Sequence, residues 1–349
     1  MTIFLNILFL IIGMIMLIKG ADLFVGGASA IAKKLKVPSM FIGLTIVSLG
    51  TSLPELSVSI TSAISGNIDM SVGNIVGSNL FNMLLILGIV AIFNPLKMEQ
   101  STKKIDIPFL ISVTGILMIF GFDMFLNGET KNMLSRTESL ILLILLILYL
   151  YILIFNANRK RKRKIKQERY MNSIDDVAAV YGREITKDTD DNEEIKDLKI
   201  WQIIIYVTLG LAMVVFGGEF VSTTAQYLAI AMGMSEALVG LTIVAVGTSL
   251  PELVTSVMAA KKGENELALG NVIGSNIMNI SLILGSVGLI AQAPISITII
   301  SDLIILFIAT LTLSIMCIKS KNFSKLQGAI LIGMYLSYLT FAIVRNYCF

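Results

Sequence analysis

The sequence predicts an all-α polytopic membrane protein of ten transmembrane helices arranged as two inverted five-helix repeats. Three observations carry this prediction. The 349 residues are 55% hydrophobic with a mean hydropathy of +0.84, above the 45 to 50% apolar content usual in soluble domains. The apolar residues fall in blocks of about 20, the length that crosses about 30 Å of hydrocarbon as a helix. Finally, GTSLPEL at Gly50 to Leu56 recurs letter for letter at Gly247 to Leu253.

The first block, 3 to 28, begins without the basic start and small-residue cleavage site of a signal peptide, so it reads as a retained helix. Blocks follow at 39–65, 70–93, 105–126 and 137–156, completing a first repeat over residues 1–156. The only long polar segment, 157–199, is a linker that opens on Arg159 to Lys164 and ends on the acidic Asp188 to Glu194. Asp188, Asp190 and Asn192 have the spacing of a calcium loop. Glu193 stands where that loop needs glycine and Lys199 where it needs glutamate, so the resemblance fails. The second repeat, 200–349, holds blocks at 201–231, 237–260, 266–291, 297–318 and 327–345.

Placing the N-terminus outside puts Lys33, Lys34, Lys36, Lys97, Lys103, Lys104, Lys261, Lys262, Lys319, Lys321 and Lys325 in the cytoplasm, together with the basic start of the linker. Only Lys131, Arg136 and Arg345 remain outside. This is the positive-inside bias, and it predicts a multi-pass protein of the cell membrane with both termini outside and the linker cytoplasmic.

A single offset of 197 residues relates Glu55 to Glu252, Asn82 to Asn279, Asp22 to Glu219, and GNIVGSN at Gly73 to GNVIGSN at Gly270. From Gly43 to Gly88 no gap is needed and about half the positions are identical. This is an internal duplication. Five helices separate the copies, so the second crosses the membrane in the opposite sense, an arrangement common among secondary transporters and also found in channels.

A carboxylate at the membrane centre costs roughly 2.5 to 3.5 kcal/mol on insertion scales, so Glu55 and Glu252 need a purpose. On a helix Thr51, Ser52 and Glu55 gather on one side, as do Thr248, Ser249 and Glu252. Pro54 and Pro251 withhold an N–H from Gly50 and Gly247 and predict kinks that free carbonyls. In the next helix of each half a GxxxG pair, Gly73/Gly77 or Gly270/Gly274, predicts close backbone approach. Ser78 shares a face with Asn82, and Ser275 with Asn279, while Asn79 and Asn276 are placed to bond neighbouring helices.

The donor set contains hard oxygens and no thiolate or imidazole, for the chain has no histidine. That removes metalloprotease and Ser/His hydrolase chemistry, and no nucleophile paired with a base suggests an enzyme. Cys317 and Cys348 show no framework spacing. Such oxygens suit Ca2+, and Na+ by similar logic; two carboxylates also balance two protons. Ca2+/Na+ antiport, Ca2+/H+ antiport and a passive cation channel all stay open at this point. Asp22 and Glu219 are read as caps or an interfacial pair.

GTSLPEL paired with GNxxGSN, twice, resembles the two alpha-repeats of the cation/calcium exchanger superfamily, specifically its prokaryotic sodium/calcium exchanger type. The resemblance implies alternating-access exchange of Ca2+ for Na+ and no cofactor, with the bilayer as surroundings and neither nucleic acid nor an obligate protein partner. It implies an ion site of Thr51, Ser52, Glu55, Ser78 and Asn82 with Thr248, Ser249, Glu252, Ser275 and Asn279, joined by backbone carbonyls at Ser48 and Ala245. Many relatives carry aspartate where this chain has Asn279, and asparagine there implies potassium-independent exchange.

Overall fold

The computed structural model describes residues 3–66, 68–122, 132–180, 198–232, 245–320 and 322–348. α1 (Ile3–Leu35) and α7 (Ile200–Ala231) are long apolar helices packed on each other along glycines. A Cβ on Gly20 would lie 2.8 Å from Val214 N and 2.9 Å from Gly210 O, and one on Gly217 would lie 2.8 Å from Leu17 N. Gly13 and Gly20, like Gly210 and Gly217, are seven residues apart, two helical turns, so they share one face and let the backbones touch.

These two rods are peripheral. Only 22% of the apolar stretch of each is buried, against 78% for Met70–Phe93 and for Asn265–Ile290. The latter helices are α4, running Ile68–Leu80, Phe81–Ile86 and Leu87–Phe93, and α10, running Asn265–Met278, Asn279–Leu284 and Gly285–Ile290. They form the centre of the molecule. The middle section of each is π-helical and begins beside Asn82 or at Asn279. Such wide turns often mark functional positions, and nothing in the apolar pattern announced them.

α2 (Ser39–Thr51) and α3 (Leu53–Ile64) meet at a 46° bend. The break is at Ser52, whose ψ of 7° leaves the helical range, and Pro54 falls in the first turn of the new helix, where a missing N–H costs nothing. In the second copy α8 (Ala245–Thr248) gives way at Ser249, with ψ again 7°, to α9 (Leu250–Lys261). The expected breaks are present, two residues before the proline in each case. The upstream part of the predicted 237–260 block, 237–244, lies outside the described residues.

α2 crosses α10 at backbone contact. A Cβ on Gly43 would lie 2.6 Å from Leu267 O, one on Gly270 2.7 Å from Met40 O, and one on Gly274 2.7 Å from Ser48 Oγ. The second GxxxG pair thus does what its spacing predicts. No atom of the described residues comes within 4 Å of a Cβ on Gly73 or Gly77.

The remaining elements are α5 (Thr102–Asp106, π-helical, into Ile107–Phe120), α6 (Arg136–Val180), α11 (Ile297–Lys319) and α12 (Lys325–Cys348). Two short antiparallel pairs join the halves: β1 (Leu96–Lys97) with β4 (Asn322–Phe323), and β2 (Met133–Leu134) with β3 (Ala293–Pro294). Among the described residues seven helices are long and apolar enough to cross a membrane, eight when the bent pair α2/α3 is taken as one span.

α6 extends the predicted fifth helix into the polar segment. It runs unbroken through the basic residues to Val180, while the acidic residues 188–194 lie outside the described part. Lys160 on this extension donates to Glu99 Oε2 at 2.6 Å and Ser101 Oγ at 2.9 Å. Burial pushes the Glu99 carboxyl up, but these hydrogen bonds and the lysine charge outweigh it and hold the group below its ordinary value. A depressed carboxyl stabilises the fold above its unfolded pKa and loses that contribution as pH falls through the folded value. Lys160→Met should therefore lower the thermal midpoint at pH 7 and make no difference in acid below the Glu99 range. The Lys160 side chain is 40% exposed and that of Glu99 30%, so solvent screens the pair and the loss is at most about 1 kcal/mol; detergent-solubilised melting curves at the two pH values check it.

Candidate cation site

The break in each copy aims its glutamate inward. Glu55 and Glu252, each in the first turn of the resumed helix, are fully buried. The hydrogen bonds that hold them cross between the halves. Ser52 Oγ donates to Glu252 Oε1 at 2.9 Å, and Ser249 Oγ to Glu55 Oε1 at 2.9 Å. Ser249 Oγ also lies 3.1 Å from Ser78 Oγ. Thr51 and Ser275 stand beside the Glu252 carboxylate, and Thr248 beside that of Glu55.

Ser48, Thr51, Ser52, Ser78, Asn82, Thr248, Ser249, Ser275 and Asn279 are all buried. Ser48 O accepts the Ser52 N–H at 3.0 Å, and its hydroxyl donates to Leu44 O. Ala245 opens α8, and the Ser249 N–H donates to Val246 O at 3.2 Å. Asn79 bonds the central helices together as expected: its Nδ2 donates to Asn276 O at 3.3 Å, and its Oδ1 accepts from Asn279 Nδ2 at 3.1 Å. Asn276 differs, since its amide turns back to Val272 O on its own helix.

Buried polar atoms in proteins are nearly all hydrogen-bonded. Here Glu55 Oε2, Glu252 Oε2, Asn82 Oδ1, Asn279 Oδ1, Ser275 Oγ and Thr248 Oγ1 are buried without a partner. Two carboxylates and four neutral oxygens, drawn from both halves, are thus desolvated and uncommitted. The ion pairs in the described residues, Lys160–Glu99, Lys262–Asp22 and Arg345–Asp302, leave both glutamates without a basic partner. An uncompensated pair of buried charges is costly, and a cation held by those oxygens would offset that cost. Three or more His, Cys, Asp or Glu side chains do not cluster anywhere among the described residues, so the neutral oxygens would complete any coordination shell.

Asp22 and Glu219 do not meet each other. Asp22 is paired with Lys262 at 2.8 Å, whereas Glu219 is exposed and accepts from Thr223 at 3.3 Å. Glu219 lines a cavity of about 840 Å³ that reaches Thr248, Pro251 and Pro54.

One residue absent from the predicted set also touches the site. Asn271 Oδ1 accepts from Thr51, and its Nδ2 donates to Ser256 Oγ at 2.9 Å. Its counterpart Asn74 donates to Ser59 Oγ at 3.4 Å. A signal existed: Asn74, Ser78 and Asn82 are spaced by four and share one helix face, as do Asn271, Ser275 and Asn279.

The family described as sodium/calcium exchanger protein matches residues 5–155 and 202–344. A putative antiporter, CaxA of Alkalimonas amylolytica, is 36% identical over 95% of this chain and 96% of its own length. Sodium/calcium exchanger MaX1 of Methanosarcina acetivorans is 35% identical over 96% of this chain and 97% of its own. The solved structure of the sodium-calcium exchanger NCX_Mj soaked with Na+ and Ca2+ superposes with a TM-score of 0.77 at 28% identity, covering 96% of this chain and 98% of that one. Family and fold are those of membrane transporters rather than catalysts. On these matches, which span nearly its whole length, the chain belongs to the sodium/calcium exchanger protein family.

Proposed function

We propose that the protein exchanges Ca2+ for Na+ by alternating access, extruding Ca2+ from the cytoplasm against inward Na+. In this reading ten helices form two inverted repeats, residues 1–156 and 200–349 joined by 157–199, with both termini outside. The ion site is shared by Ser48, Thr51, Ser52, Glu55, Ser78 and Asn82 of the first repeat and Ala245, Thr248, Ser249, Glu252, Ser275 and Asn279 of the second.

The observation that carries the proposal is the pair of buried glutamates, each held by a serine of the other half and each keeping one carboxylate oxygen without a hydrogen-bond partner. Hard oxygen donors in a flexible cage suit Ca2+, and two carboxylates neutralise one Ca2+ or two Na+ in turn. Occupancy by one ion then excludes the other, which is the condition for exchange rather than leak. The names of MaX1 and NCX_Mj, both sodium/calcium exchangers, support the choice of ions. Asn279 carries no charge to attract a further cation, which favours potassium-independent coupling.

Isotope flux into proteoliposomes, with Na+, K+ and H+ gradients imposed one at a time, tests this directly. Radioactive Ca2+ uptake should follow an opposed Na+ gradient and ignore K+. Uptake driven by a pH gradient alone would replace Na+ by H+ as the counter-ion, and uptake with no gradient coupling would make the protein a channel.

A further inference from the structure

The repeat makes each residue of one half a control for its counterpart, and at one pair the halves differ. Asn271 is fully buried. The Thr51 hydroxyl of the other half lies 3.1 Å from Asn271 Oδ1 and 3.1 Å from Val47 O, a three-centre bond. The Asn271 Nδ2 donates to Ser256 Oγ at 2.9 Å and, at the longer distance of 3.5 Å, to Glu252 O. In the first half the corresponding Asn74 bonds Ser59, the counterpart of Ser256. The counterpart of Thr51, however, is Thr248, and its buried hydroxyl has no hydrogen-bond partner. The asparagine–serine bond is made in both halves and the asparagine–threonine bond in one.

Other features follow the same division. Lys262, at the end of α9, holds Asp22 of the α1 rod through both Oδ1 at 2.8 Å and the main-chain oxygen at 2.7 Å, and Ser29 donates to Glu264. On the Asn74 side the counterpart of Lys262 is Ser65, whose hydroxyl folds back on Thr61 O at 2.8 Å. There Glu219 stands exposed on the wall of the cavity that reaches Thr248. One face of the site is fastened and the other is accessible.

A hydroxyl has one proton to donate and two lone pairs. When Asn271 Oδ1 accepts the Thr51 hydrogen bond, the Thr51 lone pairs are free to face a cation, while the bond itself spans the two repeats. Resting on the ion site assigned above, we propose that Asn271 and Asn74 are positioning residues that work in alternation. Each closes its own face by binding the threonine of the opposite repeat, and lets go when that face opens. In the opposite state the Asn271–Thr51 bond is exchanged for one between Asn74 and Thr248.

A buried neutral hydrogen bond contributes about 1 kcal/mol, so loss of either one shifts the balance between the two states by about fivefold. Asn271→Ala and Asn74→Ala are compared with wild type in right-side-out and inverted vesicles, reading half-saturating Ca2+ at each face separately from maximal rate. Asn271→Ala is expected to raise half-saturating Ca2+ at the Glu219 face and lower it at the opposite face, by up to about fivefold. Asn74→Ala is expected to do the reverse. Shifts of the same sign in both variants, or a fall in maximal rate alone, would mark a structural role and overturn the proposal.

Ser256→Ala and Ser59→Ala keep the asparagines but remove the bond that aims them; they should repeat the pattern more weakly and serve if an asparagine variant does not fold. Hydrogen exchange of the ion-free protein needs no assumption about cargo. Residues 265–275 should exchange faster in Asn271→Ala and no faster in Asn74→Ala. Equal exchange in the two would overturn the gate. A wild type without Na+-driven Ca2+ flux would instead remove the functional reading beneath it.

Discussion

Glu55→Gln and Glu252→Gln are each expected to abolish Na+-dependent Ca2+ uptake while leaving a folded protein. At an effective dielectric constant of about 20, a unit charge 4 Å from another contributes about 4 kcal/mol, and a divalent cation doubles the interaction. Losing one of two carboxylates should therefore weaken Ca2+ binding at least about a thousandfold. Among the described residues neither glutamate has an ion-pair partner, so no buried counter-charge there is stranded by the change. The neutral amide also relieves repulsion between two desolvated carboxylates. The variants should melt no lower than wild type without ions, yet lose the thermal protection that Ca2+ gives a protein binding it only when folded. Isotope uptake in inside-out vesicles, with melting curves at several Ca2+ concentrations, checks both halves of the expectation. Undiminished uptake in both variants would sink the site assignment.

The largest structural effect is expected at the crossing of α2 and α10. In Gly270→Leu the new Cβ would lie 2.7 Å from Met40 O and 3.0 Å from the Gly43 Cα, and in Gly43→Leu it would face Leu267 O at 2.6 Å. These contacts are with backbone, which cannot swing aside as a side chain can. Overpacking a core by a few methylenes costs about 1 to 3 kcal/mol; a whole side chain wedged between two backbones should cost more and separate the central helices. Both variants should be lost from the monodisperse peak in size-exclusion chromatography. Gly333→Leu is the control, because a Cβ there meets nothing within 4 Å among the described residues. Equal recovery of all three would show that close helix approach is not what the Gly43 and Gly270 positions require.

Much of the fold was legible because lipid imposes simple rules. A helix must satisfy its own backbone bonds in hydrocarbon, so blocks of apolar residues mark helices, and the described helices overlap those blocks, α6 running on past its own to Val180. The GxxxG pair at Gly270 and Gly274 likewise stated its own packing. The π-helical turns beside Asn82 and at Asn279 were not legible, since a wide turn leaves the apolar composition unchanged. The Asn271 contact was not legible for another reason: its partner Thr51 is 220 residues away, and helical periodicity names a face without naming what faces it.

The sequence by itself determined the membrane class, the duplication and the oxygen chemistry of the donors, because composition, offset and side-chain type are properties of the chain. It also contained a difference between the two faces, Lys262 against Ser65. Only the tertiary structure decided that Ser52 holds Glu252 and Ser249 holds Glu55, that Lys262 fastens Asp22, and that Asn271 has its threonine while Asn74 does not. The physical reason is that two like repeats can pair in two equivalent ways. Their local patterns are the same in both, and the choice is made by long-range contacts that exist only once the halves have packed.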